Sequence, residues 1–262
     1  MIKLIASDMD GTLLDGAGKL PPDFYKVLKV INSRNMRFVV ASGRSYSTLS
    51  LIFGKHSGEL DYICDNGAYV VEKGVCTGKS VIDNVLVRTV LNTMDECPTS
   101  NIVLCGEKTV YLLKNTEFDR AVGNFYMKRT QVSRFSDVKD EIFKMAVFDN
   151  TGSIDSTLFN LHKKLKGKLS IQRTGENWAD IMNADVSKGN ALAQLQLRNN
   201  VSWSETMAFG DYDNDISMLE KAYFSFAMEN AVADVKKVAR YTADSNKQYG
   251  VIKEIKCLFR MD

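Results

Sequence analysis

The stretch that decides the fold is Lys3-Leu4-Ile5-Ala6-Ser7-Asp8-Met9-Asp10-Gly11-Thr12. Its first five residues predict a short buried strand that ends at Asp8. In an open parallel sheet, ligands bind beyond the carboxyl ends of the strands. Two carboxylates there, Asp8 and Asp10, repel each other and need a cation or a shared proton. The alternative is an Asp-Gly turn with solvated acids.

These two carboxylates suit phosphoryl transfer. Magnesium prefers oxygen ligands and leaves room for a substrate phosphate. One carboxylate can attack phosphorus, while the other protonates the leaving oxygen and later deprotonates water. The pentapeptide therefore favours a covalent phosphatase mechanism in which one of the two carboxylates is the nucleophile.

The rest of the chain predicts an α/β core with an insertion. Buried strands alternate with amphipathic helices up to about residue 80 and again from residue 186, which is typical of a parallel sheet. The intervening part combines hairpins with helices, including a helix over Thr116–Met127, and predicts an α+β unit with an antiparallel sheet. We expect a core formed by residues 1–80 and 186–262 and an inserted domain at 81–185.

Three further motifs follow predicted strands or begin predicted helices. Ser42-Gly43-Arg44 offers a hydroxyl and backbone N–H groups to a phosphate, or is an ordinary helix cap. Ser187-Lys188-Gly189 places a lysine at a helix start, where the helix dipole favours an anionic partner, or is a surface lysine beside a cap. The segment 210–215 offers three acids and an amide, Asp211, Asp213, Asn214 and Asp215, as possible cation ligands, or is a polar turn or a calcium-like loop.

Composition excludes several other classes of protein. The 262 residues carry 34 basic and 32 acidic side chains, a balance that does not suggest a nucleic-acid binder. No apolar run approaches the length of a membrane span, and the N-terminus does not resemble a signal peptide, so we expect a cytoplasmic protein. The chain has two histidines and five cysteines, and the cysteines form no CxxC pair. We therefore expect neither a zinc site nor a catalytic triad that contains histidine.

Together the motifs resemble those of the haloacid dehalogenase superfamily, specifically its Cof-type branch. The resemblance rests on residues 8–14, 42–44, 188–189 and 210–215. Asp65-Asn66-Gly67-Ala68 also matches, as does the segment 227–231, except that Glu229 stands where the family usually has glycine. That departure concerns a local turn and leaves the chemistry as expected.

The resemblance implies a Rossmann-like core with a large α/β cap, and it assigns roles to individual residues. Asp8 would be the nucleophile and Asp10 the general acid/base, with Lys188 as a further catalytic residue. The implied metal is Mg²⁺, and its ligands are the Asp8 carboxylate, the Asp10 carbonyl and Asp211. Asp215 would lie behind these ligands and not bind the metal directly. The implied phosphate ligands are the Met9 N–H, Ser42, Gly43, Lys188 and Asn214.

The resemblance implies a small phosphorylated metabolite as substrate: a sugar phosphate, a nucleotide, pyridoxal phosphate or a flavin-precursor phosphate. Arg44 and Asn66 would lie near the cap and contact the leaving group. The hairpin around residues 175–177 is a candidate for selecting the substrate through Arg173 and Glu176, although solvated turn residues explain it equally well. A phosphomutase and a catalytically silent metabolite-binding protein remain alternatives, and the protein is expected to be a monomer or a homodimer without nucleic-acid or membrane partners.

Overall fold

The computed structural model describes residues 1–123 and 125–260. Its strands are Leu4–Asp8 (β1), Arg37–Ala41 (β2), Asp61–Cys64 (β3), Tyr69–Glu72 (β4), Val75–Lys79 (β5), Ser100–Gly106 (β6), Val110–Leu113 (β7), Arg129–Val132 (β8), Ile142–Asp149 (β9), Leu169–Arg173 (β10), Trp178–Asn183 (β11), Thr206–Gly210 (β12), Phe224–Met228 (β13) and Tyr241–Ala243 (β14). Its α-helices are Phe24–Ser33 (α1), Tyr46–Phe53 (α2), Asn84–Met94 (α3), Thr116–Val122 (α4), Asp155–Leu165 (α5), Lys188–Arg198 (α6), Ile216–Leu219 (α7), Ala233–Val238 (α8) and Gly250–Phe259 (α9).

The chain forms two compact units. The first contains residues 1–43, 55–77 and 187–262, and the second contains 44–54 and 78–186. The sequence analysis placed residues 44–54 in the core range 1–80, whereas their contacts group them with the second unit. The functional boundary between core and cap stays a prediction.

The first unit is built on an eight-stranded sheet with the order β14-β13-β12-β1-β2-β3-β4-β5. Strand β1 is central and pairs in parallel with β12 and β2, so the carboxyl ends of these three strands share one edge. All five residues of β1 are buried, as expected for a strand covered on both faces. Antiparallel pairing begins at β3 and β4, where the chain turns back directly.

The second unit is built on a six-stranded sheet with the order β10-β11-β9-β6-β7-β8. Its pairs are antiparallel, as predicted for this unit, except at one edge, where β7 and β8 are parallel. Strand β8 has a polar, half-exposed pattern, and therefore no apolar alternation marks it in the sequence. The helix predicted over Thr116–Met127 is confirmed only for Thr116–Val122, and residue 124 lies outside the described residues.

The predicted fold class, a parallel-sheet α/β core with an inserted α+β unit, is confirmed. Helix α1 packs an apolar face that recurs at helical spacing, because Phe24, Val27, Leu28 and Ile31 are all buried. In the described part of the chain, no helix is both long and apolar enough to cross a membrane.

Candidate active site

The chain turns sharply where β1 ends. Asp8 is the last residue of the strand and is buried, whereas Asp10 is exposed. Gly11 has φ +83°, a conformation that side chains disfavour. A Cβ atom on Gly11 would lie 2.3 Å from Oδ2 of Asp211, so the glycine of this motif permits a carboxylate to approach the turn.

Asp211 follows β12, the strand that is parallel and adjacent to β1. The hydroxyl of Thr12 donates a hydrogen bond of 2.7 Å to Oδ1 of Asp211. Asp215 closes the same loop, because its Oδ2 accepts from the backbone N–H groups of Asp211 at 3.0 Å and Tyr212 at 3.2 Å. Both carboxylates are therefore held in fixed orientations at the end of the strand.

Lys188 joins the two carboxylate loops. It is the first residue of α6, which Ser187 caps by accepting the N–H of Asn190 at 3.0 Å. The buried Nζ atom lies 2.6 Å from Oδ1 of Asp8 and 2.7 Å from Oδ1 of Asp215. Gly189 is required beside it, because a Cβ atom there would lie 2.1 Å from the Ser217 carbonyl oxygen.

This cluster fits a divalent cation. Ligand atoms of Asp8, Asp211 and Asp215 all lie within 4.8 Å of one another. Three ionised carboxylates and one ammonium leave an excess of two negative charges. Oxygen ligands in such a cluster are those that Mg²⁺ prefers, so the residues present fit the metal that the sequence predicts.

Burial and neighbouring charges both shift the pKa values of this cluster. Burial raises the pKa of Asp8 well above its ordinary value, and Asp215 adds to the rise while Lys188 opposes it. Burial also raises the pKa of Asp211 to about 6, against the lowering effect of the hydrogen bond from Thr12. Burial lowers the pKa of Lys188, but Asp215 and Asp8 outweigh this and leave it above its ordinary value. A bound cation stabilises the ionised carboxylates.

A second group of polar residues surrounds Asn66. The side-chain amide of Asn214 donates to Oδ1 of Asn66 at 3.0 Å, and the N–H of Asn66 donates to the Ser42 carbonyl at 3.0 Å. A Cβ atom on Gly43 would lie 3.2 Å from Oδ1 of Asn66. Asn66 is itself buried and has φ +56°, between Asp65 at +48° and Gly67 at +107°. Consecutive left-handed residues of this kind cluster at functional sites.

The structure thus brings most of the predicted core residues into two groups. Among the described residues, the carboxylate cluster contains Asp8, Asp211 and Asp215, and Asp10 contributes no side-chain atom to it. The roles of the Asp10 carbonyl and of the Met9 N–H stay predictions.

The predicted leaving-group contacts other than Asn66 lie in the second unit. The Arg44 guanidinium lies 5.6 Å from the centroid of the Phe125 ring. Arg173 forms an ion pair with Asp155, and Glu176 is exposed. Their part in binding substrate stays a prediction.

Two supporting residues were missed by the sequence analysis. Thr12 orients Asp211, and Asn230 donates from its side chain to the Gly11 carbonyl at 2.8 Å. Both belong to the motif stretches that carried the resemblance, and this was the available signal. Their contacts join residues about 200 positions apart, so spacing along the chain cannot reveal them.

Comparison with known proteins identifies, over nearly the whole chain, the same family that the sequence motifs resemble. Residues 5–255 match the family model described as haloacid dehalogenase-like hydrolase. The chain is 34% identical over 254 residues to the 5-amino-6-(5-phospho-D-ribitylamino)uracil phosphatase YbjI of Escherichia coli, covering 96% of this chain and 94% of the relative. It is 25% identical over 279 residues to YwtE of Bacillus subtilis, a phosphatase named for the same compound, covering 95% of this chain and 96% of the relative.

A solved structure extends the similarity to three dimensions. SMU.1108c from Streptococcus mutans is 31% identical and superposes with a TM-score of 0.88, over 99% of this chain and all of that one. The family match spans nearly the whole sequence, and the relatives from Escherichia coli and Bacillus subtilis, which match over nearly their full lengths, are named phosphatases. The chain therefore belongs to the haloacid dehalogenase-like hydrolases, in their Cof-type branch, and is a phosphatase that acts on small phosphorylated metabolites.

Proposed function

We propose that this phosphatase depends on Mg²⁺ and hydrolyses a phosphomonoester in two steps through phosphorylated Asp8. The observation that carries the proposal is the buried contact of Lys188 with Asp8 and Asp215 beside Asp211. Hydrolases of this family use a divalent metal, and Asp8, the Asp10 carbonyl and Asp211 would hold it here. Bound there, Mg²⁺ supplies positive charge that lets a phosphate dianion approach carboxylates.

In the first step, an Asp8 carboxylate oxygen attacks phosphorus, and the bond from phosphorus to the leaving oxygen breaks. Asp10 donates a proton to that oxygen, and its exposed position leaves it able to do so. In the second step, Asp10 takes a proton from water as the water oxygen attacks the phosphoryl group. Inorganic phosphate leaves and the Asp8 carboxylate is restored.

The phosphoryl oxygens would be held by residues from separate loops. Lys188 offers an ammonium, Ser42 a hydroxyl, and Met9 and Gly43 backbone N–H groups. Asn214 offers a side-chain amide that Asn66 orients at 3.0 Å. Preorganised donors of this kind stabilise charge that develops in the transition state.

For the substrate, we propose 5-amino-6-(5-phospho-D-ribitylamino)uracil or a close analogue. The relatives from Escherichia coli and Bacillus subtilis named for this compound match this chain over nearly its full length, and this supports the proposal. This proposal chooses the flavin-precursor phosphate among the four types of substrate that the sequence analysis left open.

The test is phosphate release by the purified protein from this compound, from a panel of sugar phosphates and nucleotides, and from p-nitrophenyl phosphate. Asp8→Asn keeps the side-chain shape and removes the attacking charge, so we expect turnover to fall by about 10³-fold or more. Asp234→Asn, an exposed change in α8, is the matched control and should leave turnover intact. Near-normal turnover by Asp8→Asn would exclude Asp8 as the nucleophile.

Two further measurements separate the alternatives. Chelation should abolish turnover and added Mg²⁺ should restore it, whereas turnover that persists after exhaustive chelation contradicts the metal requirement. Release of free phosphate without a bisphosphate activator distinguishes a phosphatase from a phosphomutase. A protein that binds these metabolites but releases phosphate from none of them would be a silent binder.

A further inference from the structure

The wide turn that follows β1 carries much of the proposed chemistry. It spans residues 9–13 and closes where the N–H of Leu14 donates to the Met9 carbonyl at 2.8 Å. Asp10 (φ −83°, ψ 117°) and Gly11 (φ 83°, ψ −4°) depart from helical geometry, so the turn lacks the regular hydrogen bonds that stabilise a helix. Its conformation therefore depends on bonds from other segments of the chain.

Two asparagines from the C-terminal part of the chain supply such bonds. The side-chain amide of Asn230 donates to the Gly11 carbonyl at 2.8 Å, and that of Asn246 donates to the Leu14 carbonyl at 2.8 Å. The asparagines also contact each other, because the backbone N–H of Asn246 donates to Oδ1 of Asn230 at 3.0 Å. We call Asn230 and Asn246 the asparagine clamp, since together they hold two carbonyls of one turn.

The clamp is itself held at the carboxyl ends of two strands. Asn230 follows β13 in a tight turn, where the N–H of Ala231 donates to the Met228 carbonyl at 2.8 Å. Asn246 follows β14 and is buried, and its carbonyl accepts the N–H of Tyr249 at 3.0 Å. These bonds fix the clamp at the same edge of the sheet at which β1 ends.

The clamp is also connected to the proposed metal ligand Asp211. The N–H of Val232, two residues after Asn230, donates to the Asp211 carbonyl at 3.0 Å. From the turn, the Thr12 hydroxyl donates to the Asp211 carboxylate at 2.7 Å. The turn, the clamp and Asp211 are thus joined in a closed ring of hydrogen bonds, which fixes the turn relative to the carboxylate cluster.

Asp10 lies within this turn, directly before the residue whose carbonyl Asn230 bonds. Its side chain is exposed, so burial does not fix its position. The direction of its carboxylate follows from the backbone of the turn, which the clamp holds. A general acid must lie within hydrogen-bonding reach of the leaving oxygen, and a misplacement of about 1 Å costs roughly 100-fold in rate.

We propose that Asn246 and Asn230 are positioning residues for proton transfer, and that they act through the backbone of the turn to direct the Asp10 carboxyl group towards the leaving oxygen. The proton passes from Asp10 to that oxygen while its bond to phosphorus breaks and the bond from Asp8 to phosphorus forms. Neither asparagine contacts the reacting atoms. This inference rests on the proposed phosphatase function, in which Asp10 is the general acid.

The alternative is that the clamp contributes only to the stability of the fold. Lost stability lowers the amount of active protein equally for every substrate, whereas a misplaced acid slows only those reactions that need its proton. A basic leaving oxygen needs this proton, and a weakly basic one departs as an anion without it. The basicity of the leaving group therefore distinguishes the two roles.

The experiment compares phenyl phosphate with p-nitrophenyl phosphate at saturating Mg²⁺, with the full-length protein. The two substrates have similar shapes, but phenolate is much more basic than p-nitrophenolate. Asn246→Ala removes the donor to the Leu14 carbonyl. Asn230→Asp keeps the acceptor for the N–H of Asn246 and loses the donor to Gly11, and it lies at an exposed position where the charge does not prevent folding.

Asn199→Ala is the matched control. The side-chain amide of Asn199 also donates to a backbone carbonyl, that of Leu195, at 2.8 Å. Its Oδ1 atom accepts from Arg37, the first residue of β2, so it lies at the opposite edge of the same sheet from the clamp. The control therefore removes hydrogen bonds of the same kind in the same unit, away from the turn.

We expect kcat/KM on phenyl phosphate to fall at least about tenfold in both clamp variants, since a correctly placed general acid contributes roughly 100-fold or more. On p-nitrophenyl phosphate it should change less than about threefold. This ratio is informative because kcat/KM covers only the steps up to departure of the leaving group, whereas kcat also includes hydrolysis of phosphorylated Asp8. Equal losses on the two substrates, no loss at all, or the same selective loss in Asn199→Ala would overturn the proposal.

Amide hydrogen exchange tests the clamp without measuring turnover. The N–H of Leu14 closes the turn, so it should exchange at least about tenfold faster in both clamp variants, while the amides of β2 keep their wild-type rates. Unchanged exchange at Leu14 would show that the clamp does not hold the turn and would refute the proposal. Failure of the proposed function looks different, because the wild-type protein would then release no phosphate from either aryl phosphate.

Discussion

Replacing Gly11 by alanine tests whether the close approach of Asp211 to this glycine matters for activity. The strain that an alanine adds to the backbone is a separate effect, which a control variant measures. Gly11 has φ +83°, and an alanine there carries a strain of about 1 kcal/mol. Its Cβ atom would also lie 2.3 Å from Oδ2 of Asp211, whereas ordinary contacts begin at 3.4 Å. The carboxylate must therefore retreat by about 1 Å (3.4 − 2.3), which disturbs the 2.7 Å hydrogen bond from Thr12. A displacement of this size at a catalytic group costs roughly 100-fold in rate.

Gly18→Ala is the matched control, because Gly18 has φ +72° and no atom within 4 Å of the added Cβ. In thermal unfolding Gly18→Ala should show the backbone strain alone, and Gly11→Ala should lose more stability because its Cβ atom also displaces Asp211. Only Gly11→Ala should lose about 100-fold in kcat/KM on p-nitrophenyl phosphate and require more Mg²⁺ for half-maximal turnover. The increase in melting temperature that Mg²⁺ produces should also shrink, a readout independent of turnover. If both variants give the same kinetics and the same Mg²⁺ dependence, the close approach of Asp211 has no role in the site.

Two further predictions concern hydrogen bonds to carboxylates. Thr12→Val removes the hydroxyl that orients Asp211, so the Mg²⁺ concentration for half-maximal turnover should rise about tenfold, while unchanged Mg²⁺ dependence would contradict this role. In the second unit, burial alone would raise the pKa of Asp149, but hydrogen bonds from Ser100, Thr151 and Thr99 lower it to about 2. Asp149 therefore contributes about 2 kcal/mol of stability that is present above about pH 4 and is lost as the pH falls towards 2. Urea unfolding of Asp149→Asn should show this deficit at pH 7 and a smaller one near pH 3, and equal stability at pH 7 would refute it.

The sequence by itself determined the strands that carry the chemistry. Strand β1 is a short apolar run that ends at the charged residue Asp8. Such a run can be buried only if the polar residues that follow it lie at the edge of the sheet. The same reasoning placed Asp211 after β12 and Lys188 at the start of α6, where structure and prediction agree. Local patterns are sufficient here because burial and helix capping depend on near neighbours.

The sequence analysis missed two strands whose alternation of apolar and polar residues is weak. The edge strands β8 and β14 contain mostly exposed residues, so they lack the alternation that burial imposes on a strand. Backbone pairing with β7 and β13 forms them, and that pairing depends on the neighbouring strands and not on their own side chains.

Tertiary structure alone decided which distant residues touch. The 2.6 Å contact of Lys188 with Asp8 spans 180 positions, and the fit of Gly11 against Asp211 spans 200. Nothing in the sequence indicates that Lys144 and Asp180 form a buried pair, because each lies between apolar residues of its own strand. Register between strands determines such pairs, and register follows from the packing of the whole sheet, which no local pattern encodes.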